Sequence, residues 1–166
     1  SLLRQMNKQI QLHDLGNKDY KATWEYQEEL FKGIVDLKIQ NRKDETTLPT
    51  PNYFLFVEHP HVYTLGKSGD IANVLISEEE MSKRGISFFH TNRGGDITYH
   101  GPGQIVVYLL LDLRRRKLFV RDLVNRIEQA IIDILARERG EDGQAQHQRP
   151  ISLSSPASSP GAILAR

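Results

Sequence analysis

The chain has 166 residues, enough for one domain with a buried core. Its formal charge is +1, so composition gives no support to a nucleic-acid partner. It contains no cysteine, which excludes disulfides and a thiolate zinc site within it, and no stretch approaches the apolar length that spans a bilayer; a cytoplasmic protein with no membrane partner is expected.

Gln9 to Leu15 suits a short first strand, closed by Gly16-Asn17. Residues 19 to 40 read as a helix in which Trp24, Phe31, Ile34 and Val35 share a stripe that Leu30 and Leu37 widen. Glu28 and Lys32 make a favourable pair four apart on its surface. Residues 41 to 51 are polar with two prolines and read as a loop, and Tyr53 to Val57 as a buried strand. Ser77-Glu-Glu-Glu80 is a capping box opening a short helix that Gly85 ends at C′. Ile86 to Phe89 and Ile105 to Leu111 read as strands, the second a continuous apolar run that suits burial on both faces. Leu123, Ile127, Ala130, Ile131 and Ile134 mark one face of a helix from about Phe119 to Arg137. The spacing around 86 to 112 is hairpin-like, so the expected class is α+β, a mixed or largely antiparallel sheet flanked by helices. Two parts are expected: a domain over 1–139, and a Ser/Pro/Gly-rich tail over 140–166 that reads as disordered or non-native.

Residues 93 to 104, Arg-Gly-Gly-Asp-Ile-Thr-Tyr-His-Gly-Pro-Gly-Gln, concentrate the chemistry. Glycines let a backbone approach a ligand closely, and the guanidinium, carboxylate, phenol, imidazole and amide around them suit a pocket wall. The competing reading is a tight turn held by glycines with incidental polar neighbours. Arg93 either pairs with Asp96 or stands at a substrate entrance. His100 either orients a substrate or is a hydrogen-bonded core histidine. His59 and His61, two apart around Pro60, would face one side of an extended segment, and His90 or His100 would complete a candidate metal site. No metal is expected there. Arg114, Arg115, Arg116 and Lys117 form a basic run, either a solvated loop or a docking patch for an acidic carrier.

Three ordered motifs carry a resemblance. Arg93 to Gln104, Glu58-His-Pro-His-Val-Tyr-Thr-Leu-Gly-Lys-Ser-Gly69, and Asp14-Leu-Gly16 followed by Tyr20, Trp24, Gln27, Glu28 and Glu29 together resemble the lipoyl (octanoyl) transferases. The resemblance implies a biotin/lipoate-ligase-like catalytic domain. It also implies an acyltransferase of lipoate biosynthesis that moves an octanoyl group from octanoyl-acyl carrier protein to a lysine of a lipoyl domain. The acceptors implied are those of 2-oxoacid dehydrogenases or the glycine cleavage H protein, with no cofactor. It places Arg93, Gly94, Gly95, Asp96, Ile97, Thr98, Tyr99 and His100 in the substrate-binding loop. A valine at Gly95 is then expected to exclude substrate while the fold survives, provided φ is negative there. The resemblance further implies a catalytic lysine and a nucleophilic cysteine, whereas this chain has no cysteine and no lysine after Lys117. No catalytic residue is therefore assigned, and the expectation is a domain incomplete at its C-terminus, truncated or frameshifted after about residue 137. The alternatives are a non-catalytic remnant that binds acyl chains or a carrier protein, and an ATP-dependent lipoate-protein ligase. The glycines lack the Walker spacing that would favour the last.

Overall fold

A computed structural model describes residues 7–113, 119–139 and 162–165. The basic run Arg114–Lys117 and residues 140–161 of the tail lie outside the described residues.

The described chain begins with β1 (Gln11–Asn17) and α1 (Tyr20–Lys43), followed by β2 (Tyr53–Glu58) and β3 (Val62–Leu65). A 3-10 turn at Ile71–Asn73 leads into α2 (Glu78–Lys83), then β4 (Ser87–His90), β5 (Ile97–His100) and β6 (Ile105–Asp112). The last helix is α3 (Val120–Glu138), and β7 (Ala162–Ala165) ends the described residues. The strands form two mixed sheets, one ordered β1-β2-β6-β7 and one ordered β4-β3-β5. In the larger, β1 runs parallel to β2 while β2–β6 and β6–β7 are antiparallel. In the smaller, β3 runs parallel to β4 and antiparallel to β5. The class is α+β with mixed sheets flanked by helices.

The hairpin reading of residues 86 to 112 does not hold. β4 and β5 both pair with β3, on opposite sides, and β6 crosses into the other sheet. The loop between β4 and β5 is tied down onto β3 rather than turning tightly on itself, as Lys67 N donates to Arg93 O and Thr91 N to Leu65 O. Part of the tail also departs from expectation. Ala162–Ala165 forms a strand, because an Ala-Ile-Leu-Ala segment can satisfy its backbone on the side of β6 that faces away from β2.

β6 is the central element. Side chains alternate across a strand, so Val106, Tyr108 and Leu110 face one way and join Leu55, Val57 and Ile34 of α1. Leu109 and Leu111 face the other way and join Leu113 and Leu123, with Phe54, Val107 and Ile127 packed against them. After the exposed Ile105 the run is buried on both faces, between α1 and α3. Toward the C-terminus of α3 the helix loses its cover: Ile134 is 57% exposed although it belongs to the expected apolar stripe.

On α1 the expected stripe is rotated. The buried residues are Tyr20, Thr23, Gln27, Ile34 and Asn41, of which only Ile34 was on the apolar list. Leu30 and Phe31 flank the stripe as partly buried packing. Most of the polar groups at its centre have local partners, although the buried Gln27 Oε1 has none among the described residues. Gln27 Nε2 donates to Thr23 O, and Asn41 takes Thr46 Oγ1 and Leu48 N while donating to Leu48 O. Lys32 pairs with Asp36 at 2.7 Å rather than with Glu28. At α2, Ser77 caps as expected, accepting from Glu80 N, and Gly85 follows the helix with φ 64°. The Glu80 carboxylate accepts from Arg84 Nε.

Leu55 is 0% exposed at the heart of the α1-facing core. Leu55→Ala should cost about 3 kcal/mol, read from urea unfolding with an unchanged slope. A loss under about 1 kcal/mol would show that this layer is not tightly packed.

Candidate functional site

The loop between β4 and β5 is built around one buried cation. Arg93 is 4% exposed, and its guanidinium donates Nη1 to Gly94 O (2.9 Å) and Nη2 to Thr64 O (2.7 Å), Thr64 Oγ1 (2.9 Å) and Asp96 O (2.9 Å). Arginine presents five donors in a fixed fork, which suits several acceptors fixed in one plane. Burial lowers its pKa from the ordinary value, opposed by Tyr20 and Asp96. It binds the Asp96 backbone carbonyl rather than the carboxylate. That carboxylate instead accepts from Asn73 Nδ2 and Asp70 N. Of the two readings open for Arg93, the structure shows a girder inside the loop.

The tie brings Gly66 against the loop. A Cβ at Gly66 would lie 2.2 Å from Gly95 O and 3.0 Å from both Arg93 O and Gly94 O. Gly66 N also donates to Asp96 O at 3.1 Å. Gly95 itself has φ 86°, so the condition set for a harmless valine there is not met.

Two histidines meet beneath this loop. His59 is 0% exposed, with Nδ1 2.8 Å from Lys18 O and Nε2 2.8 Å from the Tyr108 hydroxyl. A carbonyl only accepts, so Nδ1 carries the proton and Nε2 accepts from Tyr108 Oη–H. His100 Nδ1 lies 2.7 Å from Gln104 Oε1, which by the same logic makes Nδ1 the donor and Nε2 the acceptor. The ring centroids of His59 and His100 are 6.0 Å apart, and Tyr20 lies 5.4 Å from His59 and 6.5 Å from His100, nearly coplanar with the latter. Desolvation lowers the pKa of both histidines from 6.5, against the Lys18 carbonyl for His59 and the Gln104 amide for His100; the nearby His100 ring disfavours a second charge on His59, and the Arg93 guanidinium lowers His100 further. Both rings are therefore neutral at pH 7.

The eight-residue stretch does not line one pocket. Thr98 pairs with Thr64 and His100 with Val62, facing Tyr20 and His59. Ile97 and Tyr99 point to the opposite face, where Ile97 and Tyr63 border a cleft of about 720 Å³ walled by Asn73 to Ile76. On the histidine side, Tyr20, Trp24, Phe89 and Thr91 line a smaller cleft of about 200 Å³.

His59 and His61 are not brought together. His61 is exposed and its Nδ1 lies 2.5 Å from the Tyr99 hydroxyl on the other face. The segment has left β2 at Glu58 and turns through Pro60, so the alternation rule for an extended strand does not apply. Among the described residues no three metal-capable side chains cluster. The sequence reading missed Tyr108 as the partner of His59. The signal was present as a single hydroxyl in an otherwise apolar strand.

A family profile described as the lipoyl protein ligase A/B catalytic domain matches residues 19–154. The chain belongs to this family. It is 56% identical over 148 residues to an octanoyltransferase of Flavobacterium johnsoniae, covering 89% of this chain and 64% of that one. It is 58% identical over 145 residues to an octanoyltransferase of Flavobacterium psychrophilum, covering 83% of this chain and 62% of that one. The chain thus spans a little over three fifths of the length of these curated relatives. In fold it resembles the crystal structure of P. falciparum LipL1 in complex with lipoate, at a TM-score of 0.59 and 12% identity, over 95% of this chain and 46% of that one. The Arg93 loop and both histidines lie inside the segment matched to the family.

Two outcomes follow for this family member. Gly95→Val should destabilise the fold by about 2 kcal/mol, because a branched residue is strained at this positive φ. Its Cβ would also lie 3.3 Å from Arg93 Nη1. Chemical unfolding measures this, and a wild-type midpoint would show that the loop relaxes freely.

The second outcome concerns pH. The folded state holds His59 and His100 with pKa values below 6.5, while the unfolded chain protonates them at about that value. Their stabilisation is therefore fully present above 6.5 and is lost as pH falls through the lowered values. The Tm should be level down to about pH 7 and fall as the pH drops below about 6.5, less steeply in His100→Asn. A level Tm throughout would show that neither ring is held neutral by folding.

Proposed function

We propose that this chain supplies the acyl-binding and positioning part of an octanoyltransferase. The full reaction moves an octanoyl group from octanoyl-acyl carrier protein to a lysine on a lipoyl domain of a 2-oxoacid dehydrogenase or of the glycine cleavage H protein. Family membership supports the reaction class, and curated relatives named octanoyltransferase at 54–58% identity support the acyl group.

The observation that carries the reading is the neutral, oriented His100. Its Nδ1 proton is taken by Gln104, so Nε2 is an acceptor for an N–H of the substrate, on the side of the sheet that bears the Tyr20–Trp24–Phe89 cleft. An apolar cleft beside one placed polar atom is the usual composition of an acyl site. In this reading Arg93 acts on substrate only through the loop it holds. Gly94 and Gly95 let the backbone lie close to the chain, and Thr98 and His100 face it. Ile97 and Tyr99 form the back of the wall. Asp96 anchors the loop to the 3-10 turn.

The chain contains no cysteine, so a cysteine-borne acyl intermediate cannot form on it. This favours, for the isolated chain, binding without turnover. Isothermal titration with octanoyl-acyl carrier protein should show binding that exceeds binding of the unacylated carrier. His100→Ala should weaken it about tenfold while Tm stays within a few degrees. Mass spectrometry of a lipoyl domain incubated with both should show no added octanoyl group. Equal affinity for acylated and unacylated carrier would overturn the acyl-site reading. Octanoylation at the rate of the Flavobacterium johnsoniae relative would overturn the claim that the isolated chain does not turn over.

A further inference from the structure

β5 is held by backbone on one side only. The smaller sheet is ordered β4-β3-β5, so the four residues of β5 have β3 as their single strand neighbour among the described residues. None of the four is fully buried. A short strand paired once and buried on neither face has little of its own to keep its end in place. Its front face carries His100. Its back face carries Tyr99, which makes a second set of contacts. Tyr99 stands directly across from Tyr63, with ring centroids 5.3 Å apart. Its ring also stacks on His61 at 6.0 Å, and its hydroxyl lies 2.5 Å from His61 Nδ1. His61 immediately precedes β3 and Tyr63 lies within it, two residues on, so one face of that segment grips the phenol twice.

The grip reaches the turn after His100. A Cβ on Gly101 would overlap the Tyr99 hydroxyl and lie 3.1 Å from His61 Nδ1. The hydrogen bond therefore sits flat against the backbone of the residue that follows His100. Gln104 N donates to Gly101 O at 3.1 Å, and the Gln104 side chain takes His100 Nδ1. The turn is thus pressed from behind by the phenol–imidazole pair while the His100 ring in front is set by an amide of the same turn. Tyr99 is 43% exposed and His61 is exposed, and a hydrogen bond open to water adds little net stability. What it can do is aim the residue between its two partners' faces.

We infer that the His61–Tyr99 pair is a positioning clamp on the back of β5 that holds the orientation of His100. Both residues act through His100 and neither faces the Tyr20–Trp24–Phe89 cleft. The consequence for binding rests on the acyl-site reading of His100; the consequence for its orientation does not.

NMR of the histidine ring nitrogens in the full chain reads the clamp, with the His100 signals assigned by their loss in His100→Asn. Wild type should show His100 with its proton on Nδ1. His61→Ala and Tyr99→Phe should each shift His100 toward the Nε2–H tautomer and weaken octanoyl-acyl carrier protein binding about threefold. Asparagine places Oδ1 as many bonds from Cα as histidine places Nδ1, so His61→Asn should keep both readouts at wild type. The double variant His61→Ala with Tyr99→Phe should be no worse than either single one, since each removes the same interaction. Leu123→Ala, in the core on the far face of the larger sheet, loosens the fold without touching the clamp and should leave the His100 tautomer unchanged. A wild-type His100 already protonated on Nε2, unchanged His100 signals in both single variants, no rescue by asparagine, additive losses in the double variant, or the same shift in Leu123→Ala would each overturn the inference. A tautomer shift with rescue, in a chain that binds acylated and unacylated carrier equally, supports the clamp and counts against the acyl-site reading.

Discussion

A single buried guanidinium governs the candidate site. Arg93 gathers the carbonyls of Thr64, Gly94 and Asp96 and the hydroxyl of Thr64, so one side chain joins β3 to a loop nearly thirty residues further along. Without that cation the fully buried hydroxyl of Thr64 would lose its donor, at the cost of an unmade bond, and the loop carbonyls would lose their tie to β3. With it, the loop has one conformation, Gly66 must approach without a Cβ, and β5 starts where His100 is brought to Tyr20. A lysine could not replace this arrangement, since its compact ammonium lacks the planar fork.

The histidine pair depends on a second, quieter constraint. His59 is fixed at both nitrogens by groups from different elements, the Lys18 carbonyl before α1 and the Tyr108 hydroxyl in β6. It is spent on structure. His100 is fixed at one nitrogen only by a neighbour four residues away, within the turn that carries the chain from the smaller sheet to the larger. Glu58 steadies the same turn by accepting from Gly103 N at 3.0 Å. The buried imidazole and the half-buried one thus take different roles, decided by how many of their nitrogens the protein uses.

Much of this was legible in the sequence, and the reasons for the rest are physical. Continuous apolar runs gave β2 and β6, and Ser77 with Gly85 gave α2, because these signals are local. The glycine cluster of residues 93 to 104 marked the site region because close approach leaves a compositional trace. Strand partnership was not legible: the β4–β5 interval has hairpin length, and only the pairing of both strands with β3 shows that it is not one. The α1 stripe was misplaced by about one residue because Thr23, Gln27 and Asn41 are buried through hydrogen bonds that hydropathy does not register. For Arg93 the residue type fitted both an entrance and a girder, and only its acceptors separate them.

The division of the Ile97–His100 strand between two faces has a consequence for strand register. Thr98 and His100 look toward Tyr20, while Ile97 and Tyr99 look toward the cleft beside Tyr63. Because side chains alternate, a slip of β5 by one residue against β3 would exchange the two sets wholesale. The isoleucine and phenol would then confront His59, and the imidazole would stand over Tyr63. The register of β5 on β3 is thus itself a determinant of the site, as binding as the identity of any side chain in it.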